Sequence, residues 1–197
     1  GNLDLLSHFG IVSATELDDQ ARQLAVAKSI ATVKSGSLPN DIPYQQHFNL
    51  ICLLDVLEHI EDDGAAIAKL ATLLAAEGKL LITVPAYQWL WSSHDTFHHH
   101  KRRYTKKQLT QLLETHGFQI LYSSYFNSLL FPLIFMVRKL AAWLKKNNDS
   151  DATMPSIAIN TLLGFIFGCE RYLIPTLSLP FGVSIIAVAA QHTQTKG

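Results

Sequence analysis

The chain has little of what marks the specialised protein classes. Its two cysteines, Cys52 and Cys169, are too few for a disulfide framework, so a reduced, cytoplasmic setting is expected. It has no excess of either charge: 16 Lys and Arg stand against 16 Asp and Glu, which argues against a protein held to nucleic acid by a positive field. Charged residues are only 16%, below the ~25% usual in soluble domains, while apolar residues reach 48%. That balance excludes a disordered polar chain and predicts that part of the surface is apolar. There is no uninterrupted apolar run of about 18 residues. Leu129 to Leu144 is broken by Pro132, Arg138 and Lys139, and Tyr172 to Ala190 by Pro175, Pro180 and Gly182. Both segments are read as buried or interfacial, not spanning. The opening Gly1-Asn2-Leu3 carries no initiator Met and no targeting pattern.

What is present alternates between strand and helix signals. Ile11 to Glu16 reads as a short buried strand, and Asp18 as the N-cap of a helix carrying Ala21, Leu24, Ala25 and Lys28. Thr32 to Leu38 reads as another short strand. Phe48 to Leu54 is nearly continuous in apolar residues, the pattern of a parallel strand covered on both faces. A helix is predicted from Asp63 to Ala76, with Ile67, Leu70 and Leu74 on its inner face and Gly78 as its stop, followed by a strand over Lys79 to Pro85. Thr105 and Gln108 form a capping box ahead of Leu109, Leu112 and Leu113, and Gly117 closes that helix. Strands follow over Phe118 to Tyr125 and Val183 to Ala190. This order predicts an α/β doubly wound sheet. Between its last two strands lie two predicted apolar helices, Leu129 to Lys146 and Ile157 to Leu173.

Ligands of open α/β sheets sit at the carboxyl ends of the strands. Three groups of residues fall there. Glu16 ends the first strand, where a carboxylate can accept both hydroxyls of a ribose, or simply cap the next helix. Asp55-Val56-Leu57-Glu58-His59-Ile60 places three titratable groups directly after the most apolar strand. After the next strand come Tyr87, Trp89 and Trp91, aromatics that can shield a ligand or pack. The densest polar stretch runs from His94-Asp95 through His98-His99-His100-Lys101-Arg102-Arg103-Tyr104. Its cations suit an anionic group or a solvated loop. Zinc spacing is met only loosely and no thiolate lies nearby, so no metal site is expected.

These residues together resemble the class I S-adenosylmethionine-dependent methyltransferases, in particular the bacterial group whose central strand runs into an Asp-Val-Leu-Glu-His-Ile motif. Phe48 to Ile60, Val84 to Asp95, His100 to Thr105, Tyr125-Phe126-Asn127 and Leu130-Phe131-Pro132 carry the resemblance, which covers residues 1 to about 140 and the last strand. It implies a Rossmann-like, mostly parallel sheet with a reversed last strand. The family's first strand and Gly-rich loop have no counterpart in the sequence. Gly1 and Asn2 look like the tail of that loop, so a longer natural protein is expected. The resemblance implies a methyltransferase core over 1–126 plus 183–192. The helices of 127–182 are then an insertion acting as a lid, a homodimer contact or a surface that meets a membrane, with Arg138, Lys139, Lys145 and Lys146 at the headgroups.

Residue by residue, the resemblance assigns cofactor contacts to Gly1, Asn2, Glu16, Leu17, Ser37, Leu38, Asp55, Val56 and Leu57. Ser37 departs from the Asp usual at its position, which weakens the expected contact to the adenine amine. The implied reaction is in-line methyl transfer from S-adenosylmethionine, most simply to oxygen or nitrogen. His59 and His94 are the candidate bases, with His100 a third. Acceptor contacts are expected from Tyr87, Trp91, His100, Arg102, Arg103 and Tyr104. The acceptor is a small molecule, a saccharide or a lipid-linked glycan, and the setting is cytoplasmic or peripheral at the inner face of a membrane. Two other classes stay open: a non-catalytic methyltransferase-like interaction module, and an oxidoreductase using NAD, which the Asp55 to Ile60 motif disfavours.

Overall fold

A computed structural model describes residues 2–129, 131, 132, 135, 136, 164, 168–174 and 176–192. The order is α1 (Asn2–Ser7), β1 (Ser13–Thr15), α2 (Asp19–Ala27), β2 (Thr32–Lys34), β3 (Phe48–Leu54), α3 (Asp63–Ala71), β4 (Leu74–Pro85), α4 (Ser93–Phe97), α5 (Lys106–Thr115), β5 (Phe118–Phe126) and β6 (Ser184–Gln191). Single helical turns stand at Leu57–His59 and Gln88–Leu90. The two predicted helices between β5 and β6, and the cations Arg138, Lys139, Lys145 and Lys146, lie largely or wholly outside the described residues.

The strands form two sheets. β1 and β2 pair in parallel, while a four-stranded sheet runs in the order β3-β4-β6-β5. β3 and β4 are parallel, and β6 runs antiparallel between β4 and β5. The reversed last strand expected from the sequence is therefore β6. The core lies on the larger sheet: Leu80, Ile82, Val84, Ile185, Ala187 and Ala189 are fully buried, packed with Ile67 of α3 and with Leu109 and Leu113 of α5. Both bonds of the α5 capping box form: Thr105 N–H donates to Gln108 Oε1, and Gln108 N–H to Thr105 Oγ1.

Three predicted boundaries move. The helix starting at Asp63 ends at Ala71, and Leu74 already pairs with Phe48 as the first residue of β4. Gly78 thus lies inside a strand, at the register shift between β3 and β4. A Cβ there would stand 2.7 Å from the Phe48 carbonyl oxygen, so the glycine is required by close backbone approach, not by a helix stop. β2 ends at Lys34, because Ser37 turns back to pair with Asp41. β3 is not covered on both faces: Leu53 is buried but Leu50 is 45% exposed, and among the described residues β3 pairs only with β4.

The last link between β5 and β6 is tied down at its ends. The Tyr122 hydroxyl donates to the Leu177 carbonyl at 3.0 Å, and Leu179 N–H donates to Ser124 Oγ at 2.8 Å. The buried Glu170 carboxylate accepts from the N–H groups of Asn127 and Leu129, each at 2.6 Å. Among the described residues no helix is long and apolar enough to cross a membrane.

Candidate functional site

The site begins where β3 stops. Asp55 adopts φ +54°, a conformation costly for a residue with a Cβ, and its N–H is held by Thr83 of β4 through both the carbonyl and Oγ1, each at 3.1 Å. The strained residue turns the chain sharply, so the Leu57–His59 turn lies against the end of the sheet. That turn sorts its side chains: Leu57 and Glu58 are fully buried, whereas His59 is exposed, as are Asp55 and Val56.

Glu58 is the unusual member. Both carboxylate oxygens are buried and neither has a hydrogen-bond partner. Burial, with help from the charges of Asp55 and Asp95, pushes its carboxyl up to about 7, against the opposing pull of its own backbone N–H and of Arg103.

The second wall comes from the chain after β4. Asp95, fully buried on α4, accepts from Arg103 Nε at 2.7 Å and Nη2 at 2.9 Å, and lies 2.9 Å from His100 Nδ1. Burial pushes the Asp95 carboxyl up. The bonds from Arg103, Ser92 and His100 more than reverse this and hold it well below the usual carboxylate range. The two walls are joined by backbone: Lys101 N–H donates to the Glu58 carbonyl at 2.7 Å, and His100 N–H to the Asp95 carbonyl at 2.9 Å. His100 therefore stands edge-on to His59, ring centroids 4.6 Å apart. Burial lowers the His59 pKa, and the neighbouring His100 lowers it further.

His94 is exposed, its ring 4.3 Å from His98 and 6.4 Å from His100; burial and then His98 lower its pKa. The fold brings His59, His94 and His100 to one edge, although they are 41 positions apart along the chain at the extremes.

The cations assigned to the acceptor are committed internally. Arg103 serves Asp95 and the Ala86 carbonyl. Arg102 pairs with Asp63 at 3.0 Å and donates to the Glu61 carbonyl at 2.7 Å. Tyr104 is buried and donates to Asp63 at 2.8 Å. Trp91 donates through Nε1 to Thr96. Tyr87 differs: at φ +58° it is a second strained residue, its ring stacked on Trp89 at 5.4 Å and Tyr125 at 5.1 Å, with Phe131 at 5.9 Å. Sequence reading missed Glu58 as a buried carboxylate and Asp95 as the organiser of His100 and Arg103. Their signal, an acid among apolar neighbours with a partner eight residues away, is too common to single out.

On the other side, Glu16 stands at the end of β1. Its Oε1 accepts from the N–H of Asp18, the residue that caps α2, at 3.0 Å, and among the described residues the second oxygen has no hydrogen bond. Leu17 is 67% exposed beside it. Asn2 lies on the exposed first turn of α1, and Gly1 lies outside the described residues. Ser37 pairs with Asp41 through both backbone groups, and Leu38 packs against the main core. Gly36 sits at that bend because a Cβ would come within 2.6 Å of the Asp41 carbonyl.

The profile of a methyltransferase domain matches residues 6–123. No match was found among curated proteins. Solved structures share the fold. A methyltransferase of Haloferax volcanii, in complex with the Trm112 activator, is similar over 96% of this chain and 76% of that one, at 14% identity and a TM-score of 0.59. A TehB-like S-adenosylmethionine-dependent methyltransferase from Corynebacterium glutamicum is similar over 95% and 72%, at 15% identity and 0.56. Phosphoethanolamine N-methyltransferase 2 of Haemonchus contortus, bound to S-adenosylmethionine, is similar over 97% of this chain but 46% of that one, at 14% identity and 0.61.

Proposed function

This chain belongs to the methyltransferase-domain family, and from that premise we propose that it moves the methyl group of S-adenosylmethionine to an oxygen or nitrogen of a small-molecule acceptor. The bound cofactor would supply an electrophilic methyl; the chain supplies position, exclusion of water and a place for the proton.

The residues on the cofactor side suit a nucleoside. Glu16 keeps one carboxylate oxygen for ribose hydroxyls, and the exposed apolar side chains of Leu17 and Val56 are surfaces an adenosine would cover. Ser37 and Leu38 flank the bend where β2 gives way.

The observation that carries the reading is the edge after β3 and β4. Strained Asp55 delivers His59 to the surface beside His100, whose ring Asp95 fixes. His59 and His94 are the groups proposed to receive the acceptor's proton. The aromatic wall of Tyr87, Trp89 and Phe131 would seat the acceptor's apolar part. Membership of this family favours S-adenosylmethionine over NAD as the cofactor.

Calorimetry of the full-length protein with S-adenosylhomocysteine is the direct test. Binding is expected; absence of heat would leave the interaction-module alternative. With binding established, release of S-adenosylhomocysteine from a panel of hydroxyl and amine acceptors identifies the class, and unchanged turnover in His59→Ala would remove His59 from its role.

One observation favours an acceptor carried on a lipid: Trp89 of the aromatic wall is exposed (53%), and so are Leu129 (49%) and Met136 (63%), neighbours in sequence of the Phe131 and Phe135 rings that meet Trp89. Sedimentation with anionic liposomes at low salt tests it, and no co-sedimentation would confine the acceptor to soluble molecules.

A further inference from the structure

The most unusual group in the molecule is the Glu58 carboxylate, fully buried with both oxygens unpartnered. A carboxylate is rarely buried without a cation or donor, because desolvation is uncompensated. The nearby guanidinium does not serve it: Arg103 spends Nε and Nη2 on Asp95 and Nη1 on the Ala86 carbonyl. What does face Glu58 is imidazole. One ligand atom from each of Glu58, His59 and His100 lies within 4.8 Å of the others.

We propose that Glu58, His59 and His100 form a binding site for a divalent transition-metal ion, with zinc the best match to two imidazoles and a carboxylate. It goes beyond the methyltransferase reading and does not depend on it; with an ion bound, His59 is a ligand and the proton-accepting role falls to His94. Three observations support it. First, the donor set is the one that zinc and its neighbours take in sites that keep positions open for water or another ligand. Secondly, His100 is already held as metal-ligating histidines are: Nδ1 bonds Asp95, which leaves Nε2 for the ion, and Asp95 is itself held by Arg103 and Ser92. Thirdly, the carrier segments are fastened to each other by the Lys101 to Glu58 backbone bond. Ligand atoms around a tetrahedral ion with bonds of about 2 Å stand roughly 3.3 Å apart. The exposed His59 ring, which bonds the His98 backbone, turns towards Glu58 and His100 to close the remaining distance when the ion binds. Spacing along the chain concealed the site, because two ligands are adjacent and the third is 41 positions away.

Titration of the chelated full-length protein with Co²⁺ alone, followed by visible absorption, tests the proposal, with competition by Zn²⁺. One ion per chain and d–d bands of low-symmetry nitrogen and oxygen ligation are expected. His59→Ala, which alters an exposed residue and leaves the core untouched, should weaken Co²⁺ by at least 100-fold, and Glu58→Gln likewise. Asp95→Asn should cost about 10- to 100-fold through the orientation of His100. Absence of a saturable signal overturns the proposal. So does loss of binding in His94→Ala or His98→Ala while Glu58→Gln binds normally, because the ion would then sit on the exposed histidine loop. Calorimetry with S-adenosylhomocysteine on the same preparation keeps the two readings apart: cofactor heat without Co²⁺ binding defeats only the metal site, and the converse defeats only the methyltransferase reading.

Discussion

The two sides of the candidate site are built in contrasting ways. On the side proposed for the acceptor, short segments with little regular structure are locked by buried polar bonds: Asp95, Arg103 and Glu58 are all buried, and backbone bonds cross from one segment to the other. On the side proposed for the cofactor the elements are regular but lightly held. β1 and β2 have three residues each, and neither α1 nor α2 contains a buried residue. Tyr44 does much of the fastening, donating to the carbonyls of Ala14 and Thr32 at 3.0 and 2.8 Å. A site that must hold one partner's reacting groups still, while it admits and releases the other, is served by rigidity on one side and low local stability on the other.

The strongest way to break this contrast is to uncouple the rigid side. Arg103→Leu leaves Asp95 buried and without its cation, a situation that costs about 3–5 kcal/mol. Chemical denaturation should show that loss across the whole four-stranded sheet. A change below about 1 kcal/mol would mean that the buried network does not organise this half.

Glu170 gives the next largest effect. Its carboxylate satisfies two N–H groups at the point where the chain leaves β5, and Asn127 there has φ +58°. Hydrogen bonds to a charged group contribute about 1.5–3 kcal/mol each, net of exchange with water. Glu170→Ala should lower stability by about 2–3 kcal/mol, while Glu170→Gln, which keeps one acceptor oxygen, recovers part of it. Equal losses in the two variants would assign the role to packing.

Much of this was legible from residue order alone, for physical reasons. β5, β6 and α5 have strong periodic or β-branched patterns, and α5 a well-marked cap, so local preference and tertiary role agree; β3 was legible as a strand, but its expected cover on both faces is not realised. The motif at Asp55 to Ile60 was visible because acids after a strand have few structural excuses. The boundary after α3 was not: Leu74 fits a helical face as well as a strand, and only pairing with Phe48 decides between them. Arg102, Arg103 and Tyr104 illustrate the other limit. As types they suit an anionic acceptor, yet Asp63, 39 residues from Arg102 and 41 from Tyr104, and Asp95, eight from Arg103, already occupy them. Partnership across the fold is long-range information, and a cation cluster cannot reveal it.

Cofactor affinity sharpens the contrast from the lightly held side. Glu16→Gln retains the shape and the capping oxygen but removes the charge that a ribose hydroxyl would meet. The expected result is a fall in S-adenosylhomocysteine affinity of about tenfold, equivalent to ~1.4 kcal/mol, with no change in the denaturation midpoint. Equal affinity for both proteins would move the ribose contact away from Glu16.

The smallest effect is the one that isolates local stability. Tyr44→Phe removes a hydroxyl that bridges β1 and β2 but keeps a ring that is 6% exposed and packs edge-on against Phe48 at 5.8 Å. The net loss should be about 1 kcal/mol, the usual contribution of a neutral hydrogen bond after exchange with water. Because among the described residues β1 and β2 do not pair with the larger sheet, the loss should stay local. Hydrogen exchange at Ala14 and Val33 should therefore quicken by about fivefold while amides of β4 and β6 keep their protection. If protection falls equally in β4 and β6, the two sheets unfold as one unit, and the difference in stability assigned to the two sides of the site does not exist.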